Sequence, residues 1–91
     1  MPEPSDWKII IHRRAEKALA RLPEDLLERI RKAINGLAME PRPDGCKKLV
    51  GYENLYRVRA GDWRISYAIE TDRLIILVLE ISPRGGAYKN L

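Results

Sequence analysis

Cysteine and histidine are almost absent from this chain, which has one of each among its 91 residues. A single cysteine cannot form a disulfide within the chain, and one cysteine with one histidine is too few for a protein-built zinc site. Long hydrophobic runs are missing too, since the longest, Leu74–Leu79, has six residues, whereas a membrane span needs about 20. We therefore predict a cytoplasmic protein with no metal, no cofactor and no membrane partner.

What is present is the composition of one small globular domain over residues 1–91. Apolar residues make up 45% of the chain and charged residues 33%, a balance typical of a folded rather than a disordered chain. The 17 lysines and arginines exceed the 13 aspartates and glutamates, for a net charge of +4. Because many soluble domains carry such an excess, the placement of the basic residues matters more than their sum.

The first half of the chain predicts a strand followed by two helices. Trp7–Ile11 is a short apolar run typical of a strand, and His12–Leu22 has apolar residues at steps of three and four, as in an amphipathic helix. Pro23 ends this helix and opens the next, which the same spacing carries to Leu37, before Pro41. A connection this short predicts an antiparallel helical hairpin.

The second half of the chain has the two-residue alternation of β-strands, after a loop of turn-forming residues at Pro41–Gly45. A turn at Gly61-Asp62 joins the first two strands, and a turn at Thr71-Asp72 joins the last two. The predicted strands are Leu55–Ala60, Trp63–Ile69 and Arg73–Ile81. Since the helices must cover one face of the sheet, we predict an α+β two-layer domain whose mainly antiparallel C-terminal sheet has three or four strands.

The first hairpin gathers basic side chains on one face. The turn at Gly61-Asp62 fixes a register that places Arg59 opposite Arg64 and Arg57 opposite Ser66. Because side chains alternate along a strand, these four share the face that points away from the helices. Like charges opposite each other on a sheet are unfavourable, which favours an anion-binding role suited to phosphate. The alternative is a solvated face whose charges block edge pairing.

The last strand and the tail extend this cluster. An even-length turn at Thr71-Asp72 predicts that Leu79 lies opposite Arg64. Arg84 and Tyr88 follow, and they would reach the same cluster to complete a shallow basic concavity. The alternative is that the two residues belong to a C-terminal fringe without a role.

Four other polar residues have a functional and a plain interpretation. Lys47 and Lys48 extend the basic surface toward RNA or the ribosome, or they form a solvated loop edge. His12, at the start of the first helix, is interpreted as an exposed polar residue rather than a catalytic one. Cys46 has no histidine neighbour and is interpreted as a small, partly buried residue.

Several runs of this sequence resemble the RelE/ParE superfamily of toxins. They are KKLVGYENLYR at 47–57, NLYRVRAGDWRISY at 54–67 and LIILVLEISPRGGAYKNL at 74–91. The order and spacing of Tyr-Arg-x-Arg, Gly-Asp-aromatic-Arg, an apolar strand and a terminal Arg…Tyr are together far more specific than any one of them. The resemblance spans nearly the whole chain and implies a toxin of a bacterial or archaeal toxin–antitoxin pair.

The resemblance implies a metal-independent endoribonuclease that cuts mRNA in the ribosomal A site and so inhibits translation. In such a reaction the 2′-hydroxyl of the RNA attacks the adjacent phosphate, and the protein positions the substrate and neutralises charge. Tyr88 would act as the base or stack on a nucleobase, and Arg84 would stabilise the phosphate and the leaving oxygen. The residues that match the family by position and are implied to be catalytic are Arg57, Arg59, Arg64, Arg84 and Tyr88.

Two departures from the family pattern keep other functions open. Many relatives have Gly-His-Arg or a lysine where this chain has Ser82-Pro83-Arg84, and many have lysines where it has Arg57 and Arg59. Both changes weaken the case for proton transfer and leave the case for phosphate binding intact. The alternatives are a ParE-like protein that binds DNA gyrase and a catalytically inactive relative that only binds.

The last strand predicts a partner surface. Under the even-turn register, Ile76 and Val78 face the helices. The residues that then face the arginine side are Ile75, Leu77, Leu79 and Ile81. Exposed apolar strips mark partner sites, and the resemblance implies a cognate antitoxin here, beside the ribosome and mRNA as the other partners. The alternative is that the N-terminal segment or the tail covers the strip.

Overall fold

The computed structural model describes residues 7–83. Within them, two helices cover one face of a five-stranded sheet, so the predicted α+β two-layer architecture is confirmed. The elements in chain order are β1 (Lys8–Ile11), α1 (Arg13–Ala20), α2 (Glu24–Met39), β2 (Lys47–Lys48), β3 (Leu55–Ala60), β4 (Trp63–Glu70) and β5 (Ile75–Pro83).

Both helices lie close to their predicted positions, and their ends are set by capping. The ring Nδ1 of His12 accepts a hydrogen bond of 3.1 Å from the backbone N–H of Arg14, so His12 caps α1 and stays outside it. The prediction that His12 is exposed is confirmed. Glu24 and Asp25 occupy the first turn of α2, where acidic side chains favour the helix dipole.

The strands form one mixed sheet in the order β1-β5-β4-β3-β2. All neighbours are antiparallel except β1, which pairs in parallel with β5. The crossover from β1 to β5 contains both helices, so the sheet has one helix-covered face and one open face. We use these two names below.

The connection between β4 and β5 differs from the prediction. It is a four-residue loop at 71–74 in which Leu74 adopts a left-handed φ of 55°, and Glu70 pairs with Ile75. A β-bulge further along leaves Leu79 unpaired between Val78 and Glu80.

These two irregularities change the register of β5. The residue opposite Arg64 is Ser82, so the predicted pairing of Leu79 with Arg64 is wrong. Because the bulge adds one residue, the side chains beyond it alternate in the opposite sense. Ile81 lies opposite Ile65 and packs in the core with 5% of its surface exposed, so its predicted place on the arginine side is wrong as well.

The core lies between the helices and the helix-covered face. Among the described residues no charged side chain is buried. The largest fully buried side chains are Tyr67, Ile30, Ile34, Leu37, Ile65, Ile76 and Val78. Helix α2 and strands β4 and β5 contribute to this set, and Ala15 and Leu19 of α1 are buried as well. The apolar stripe of each helix therefore packs on the sheet, as predicted. Neither helix between residues 7 and 83 has the length and hydropathy to span a membrane.

Candidate functional site

The β3–β4 hairpin has the predicted register. Arg59 lies opposite Arg64, and Arg57 lies opposite Ser66. The neighbours of these residues along the strands, including Ala60 and Ile65, are buried against the helices. The three arginines therefore belong to the open face. Residues directly opposite each other on antiparallel strands have Cβ atoms about 4.5–5.5 Å apart, so the guanidinium groups of Arg59 and Arg64 share a small area.

The two-residue strand β2 brings one of the two predicted lysines to the arginines. Lys47 lies opposite Arg57 and shares its face, whereas Lys48 lies opposite Tyr56, which is buried on the helix-covered side. Since successive side chains point to opposite faces of a strand, only Lys47 extends the basic surface of the hairpin. The grouping of Lys48 with this surface is therefore not supported by the register.

These side chains border a concavity of about 300 Å³ on the open face, which we call the arginine concavity. Its lining residues are Asp44, Gly45, Lys47, Arg57, Val58, Arg59 and Arg64. Four of them carry a positive charge and one carries a negative charge. This excess suits an anion with several oxygen atoms, because arginine can donate two parallel hydrogen bonds to phosphate.

One wall of the arginine concavity was not predicted. Asp44 and Gly45 belong to the loop between α2 and β2, and they reach the concavity because this loop passes around the β2 edge of the sheet. Gly45 has a φ of 87°, in the left-handed region that glycine adopts without strain. The Asp-Gly pair after two prolines was the available signal, but it indicates a turn and not the direction in which the turn faces.

Two predicted catalytic residues, Arg84 and Tyr88, lie outside the described residues. Strand β5 brings the chain as far as Pro83, with Ser82 opposite Arg64 at the rim of the arginine side of the sheet. The predicted roles of Arg84 and Tyr88 stay predictions that rest on the resemblance.

The open face also has an apolar half. Leu77 lies between Ile10 of β1 and Ala68 of β4, and Ile75 lies between Lys8 and Glu70. Ile75 and Leu77 are half-buried, and Ile10 is 41% exposed. Leu79, at the bulge, borders a concavity of about 520 Å³ together with Leu49 and Leu55. Three of the four predicted strip residues therefore share the open face, and Ile81 is the exception.

A second basic concavity, of about 450 Å³, runs along α1. Its charged lining residues are Arg13, Arg14, Lys17 and Arg21, with the small side chain of Ala18 between them. Arg13, Lys17 and Arg21 repeat at steps of four, which stacks like charges on one helix face at a cost of a few tenths of a kcal/mol per pair. The sequence showed these residues as the polar side of a helix, without indicating that they enclose a concavity.

The remaining candidates have structural positions. Cys46 is a free, half-buried thiol packed against the core, as expected for a small partly buried residue. Over the described part of the chain, no three side chains of the histidine, cysteine, aspartate or glutamate type come together as a metal-binding group.

Solved structures share this architecture. The RelE chain of a RelE–RelB complex from Pyrococcus horikoshii OT3 superimposes with a TM-score of 0.78 at 33% identity, covering 88% of this chain and 97% of that one. The Escherichia coli RelBE complex gives a TM-score of 0.73 at 20% identity, with coverage of 85% and 95%. The second likeness shows the fold alone. The first, at its higher identity, places the chain in the RelE class of small α+β toxins.

Sequence comparison gives the family. Residues 9–88 match the model of the ParE toxin of the parDE type II toxin–antitoxin system. A candidate toxin named RelE1, from Methanocaldococcus jannaschii, is 38% identical over 87 residues, which cover 92% of this chain and 97% of that protein. The chain belongs to the RelE/ParE superfamily of type II toxins and is RelE-like, which confirms the resemblance found in the sequence.

Proposed function

We propose that this toxin is a ribosome-dependent mRNA endoribonuclease of the cytoplasm that a cognate antitoxin restrains. The observation that carries the proposal is the arginine concavity, where Lys47, Arg57, Arg59 and Arg64 surround about 300 Å³ on an open sheet face. RNA offers one phosphate per nucleotide, and charge-assisted hydrogen bonds from arginine are among the strongest contacts that a phosphate can receive. A shallow concavity suits one strand of RNA that a larger body, the ribosome, presents to it.

The proposed reaction uses a nucleophile from the substrate. The 2′-oxygen forms a bond to phosphorus as the bond from phosphorus to the 5′-oxygen breaks, which leaves a 2′,3′-cyclic phosphate and a free 5′-hydroxyl. The attacking hydroxyl loses its proton to a base, and the leaving oxygen takes up a proton. Arginines keep their charge throughout and stabilise the negative charge that develops on the phosphate. Tyr88 is the proposed base or stacking group, and Arg84 the proposed stabiliser of the leaving oxygen.

The basic concavity along α1 supports the proposal that the partner is a large anion. Arg13, Arg14, Lys17 and Arg21 line a concavity that shares no lining residue with the arginine concavity. Clusters of lysine and arginine along a helix are typical of contact with a nucleic-acid backbone. We assign this surface to ribosomal RNA, with the salt dependence that counterion release imposes.

The proposed antitoxin site is the apolar half of the open face. The P. horikoshii and E. coli relatives were each solved as a complex of RelE with RelB, and this chain exposes apolar side chains beside its proposed nuclease site. An antitoxin segment seated on Ile75, Leu77 and Leu79 would bury the strip and cover the neighbouring arginines. The resulting complex would exclude mRNA from the arginine concavity.

The test is translation in vitro followed by primer extension on the mRNA. The unaltered protein is expected to produce cuts in phase with codons. The double change Arg59→Gln with Arg64→Gln should lower the rate by about 100-fold or more, since it removes two donors from the developing charge. The matched control, Arg31→Gln with Lys32→Gln on the exposed side of α2, removes the same charge and should leave the rate unchanged. Equal rates for both double variants would refute the proposed role of the concavity.

A second candidate is supported by the family model itself, which describes a ParE toxin. On this alternative the protein inhibits DNA gyrase, and the basic surfaces contact DNA or the enzyme instead of mRNA. A supercoiling assay with purified gyrase separates the two candidates. Loss of supercoiling with intact mRNA would support the gyrase alternative and overturn the nuclease proposal.

A further inference from the structure

The loop between α2 and β2 is held from the helix-covered side by a buried tyrosine. The hydroxyl of Tyr67 donates a hydrogen bond of 2.7 Å to the backbone carbonyl of Pro41. Tyr67 is one of the largest fully buried side chains of the domain, so its ring cannot move away without opening the core. Pro41, the second residue of the loop, is therefore tied to the centre of β4.

A second tyrosine holds the next residue of the same loop. The Nε of Arg42 donates a hydrogen bond of 3.2 Å to the hydroxyl of Tyr56, and the guanidinium carbon lies 5.3 Å from the centre of the Tyr56 ring. The rings of Tyr56 and Tyr67 are stacked with their centres 6.1 Å apart and their planes at 25°. We call the set of Pro41, Arg42, Tyr56 and Tyr67 the tyrosine latch.

The other end of this loop forms a wall of the arginine concavity. Asp44, Gly45 and Lys47 line the concavity, and the N–H of Cys46 donates a hydrogen bond of 3.0 Å to the carbonyl of Pro43. A single residue, Pro43, therefore separates the latched positions from the wall, and its φ is restricted. A displacement of Pro41 or Arg42 must shift the wall.

We propose that Tyr67 and Arg42 are positioning residues for the arginine concavity. By fixing Pro41 and Arg42 on the helix-covered side, the latch holds Asp44 and Lys47 against the sheet arginines before any substrate arrives. Preorganisation of this kind matters because a shift of about 1 Å in a substrate-positioning group can cost 10²-fold in rate. The inference rests on the proposed function for its consequence in RNA binding, but not for its consequence in loop order.

The hydrogen-bonding groups of the latch keep the protonation states that they need at physiological pH. Burial raises the pKa of Tyr67, so its hydroxyl stays protonated and donates to Pro41 across the physiological range. The hydrogen bond with Tyr56 raises the pKa of Arg42, whose charge is needed both for that bond and for its position over the ring. The latch therefore works as a fixed support and not as a switch.

The test uses Tyr67→Phe, which removes the hydroxyl that bonds to Pro41 and Cys46 and keeps the ring, and Arg42→Gln, which removes the stacked charge. The matched controls are Tyr52→Phe, at an exposed tyrosine in the loop before β3, and Arg31→Gln on α2. Hydrogen exchange of the backbone amides is measured without RNA. Both latch variants should speed exchange at residues 44–47 by about 10-fold, while exchange in β4 and β5 changes little, since the lost contact is local.

The second measurement is binding to ribosomes whose A-site codon carries a 2′-deoxy nucleotide, which cannot be cut by 2′-hydroxyl attack. Each latch variant should weaken binding by about 5- to 10-fold, because Lys47 loses its fixed position. In cleavage of ordinary mRNA the change should fall on KM, with kcat within about 2-fold, because the arginines stay on the sheet. The controls should match the unaltered protein in all three assays.

The possible outcomes distinguish the positioning proposal from the nuclease proposal. Unchanged exchange at 44–47 would overturn the latch, and a uniform rise across the whole sheet would reduce Tyr67 to a core residue. Faster loop exchange with unchanged ribosome binding would overturn its role at the concavity. If the unaltered protein binds the ribosome and does not cut, the nuclease function fails, and the positioning proposal stands or falls on the binding of the variants. If the unaltered protein does not bind ribosomes, the nuclease proposal fails, and so does the role of the latch in RNA binding.

Discussion

The two faces of the sheet are built from alternate residues of the same strands, yet they differ in almost every property. On the helix-covered face, Ile65, Tyr67, Ile76 and Val78 are fully buried and belong to the core cluster that also includes residues of both helices. On the open face, the residues next to them are arginines at one end and half-buried aliphatic side chains at the other.

This difference assigns separate tasks to residues one position apart. Stability comes from the helix-covered face, where apolar area is removed from water and each lost methylene leaves a cavity. The open face keeps features that cost stability, such as Arg59 opposite Arg64 and the half-buried leucines of β5. Substitutions on the helix-covered face should therefore mainly lower stability, and substitutions on the open face should mainly weaken binding. Four predictions test this difference.

The largest effect is expected from a pair of changes in β5. Ile76→Ala should lower the free energy of unfolding by about 2–5 kcal/mol, since Ile76 is fully buried and its truncation leaves a cavity. Leu77→Ala, one residue further on the half-buried open side, should cost less than half as much. Chemical denaturation measures both values. Equal losses would show that the open face contributes to the core as strongly as the other face.

Binding should show the reverse profile. Changing Leu77 and Leu79 together to Gln should weaken binding of the antitoxin by about 100-fold, since apolar anchors at the centre of an interface dominate its affinity. Met39→Gln removes an apolar side chain that is 66% exposed on α2 and should leave binding unchanged. Titration of each variant with the cognate antitoxin measures the effect. Undiminished binding by the double variant would place the antitoxin elsewhere.

The loss of stability at alkaline pH should depend on Tyr67 and not on Tyr52. Burial raises the pKa of Tyr67 above the value of about 10 that it has in the unfolded chain. The folded state holds this proton more tightly, so the stabilisation is complete below pH ~10 and falls by about 1 kcal/mol between pH ~10 and ~11. Tyr67→Phe should remove this decline from urea denaturation curves, and Tyr52→Phe, at an exposed site, should retain it. An identical decline in both variants would exclude Tyr67 as its source.

The smallest effect concerns the opposed arginines. Arg59→Gln should raise the free energy of unfolding by about 0.2–1 kcal/mol at low salt, because it removes a like-charge pair across the hairpin. The gain should vanish near 1 M salt, where the screening length is about 3 Å. Arg31→Gln on α2 is the control and should change stability less. A gain that persists at high salt would indicate a cause other than charge repulsion.

The sequence was sufficient for most of the fold because its strongest signals are local. The apolar spacing of α1 and α2 and the two-residue turn after Ala60 each determine structure within a few residues. Strand β2 could not be predicted, since Lys47 and Lys48 have no alternation and become a strand only by pairing with β3. The loop before β5 was misjudged because Leu74 takes a left-handed conformation that sequence rules reserve for glycine or asparagine.

As with the fold, one part of the candidate site could be predicted from the sequence and another part could not. The hairpin arginines were placed correctly, because a two-residue turn leaves one register available. The wall formed by Asp44 and Gly45 could not be, since it depends on how the loop packs against Tyr56 and Tyr67, far away in the sequence. Ile81 was assigned to the wrong face for a different reason. The bulge before it leaves no signal in the composition of the strand, so the change in side-chain facing could not be seen in the sequence.

The bulge at Leu79 also bears on how the length of this chain can change in evolution. Deletion of a residue elsewhere in β5 would invert the facing of every side chain on one side of the deletion and expose part of the core. Deletion of Leu79 itself would restore a regular ladder, with Val78 and Ile81 still facing the helices and Ser82 still opposite Arg64. The strand thus contains one position at which descendants can lose a residue without refolding. In an alignment of relatives, a single-residue gap in this strand is expected to fall there.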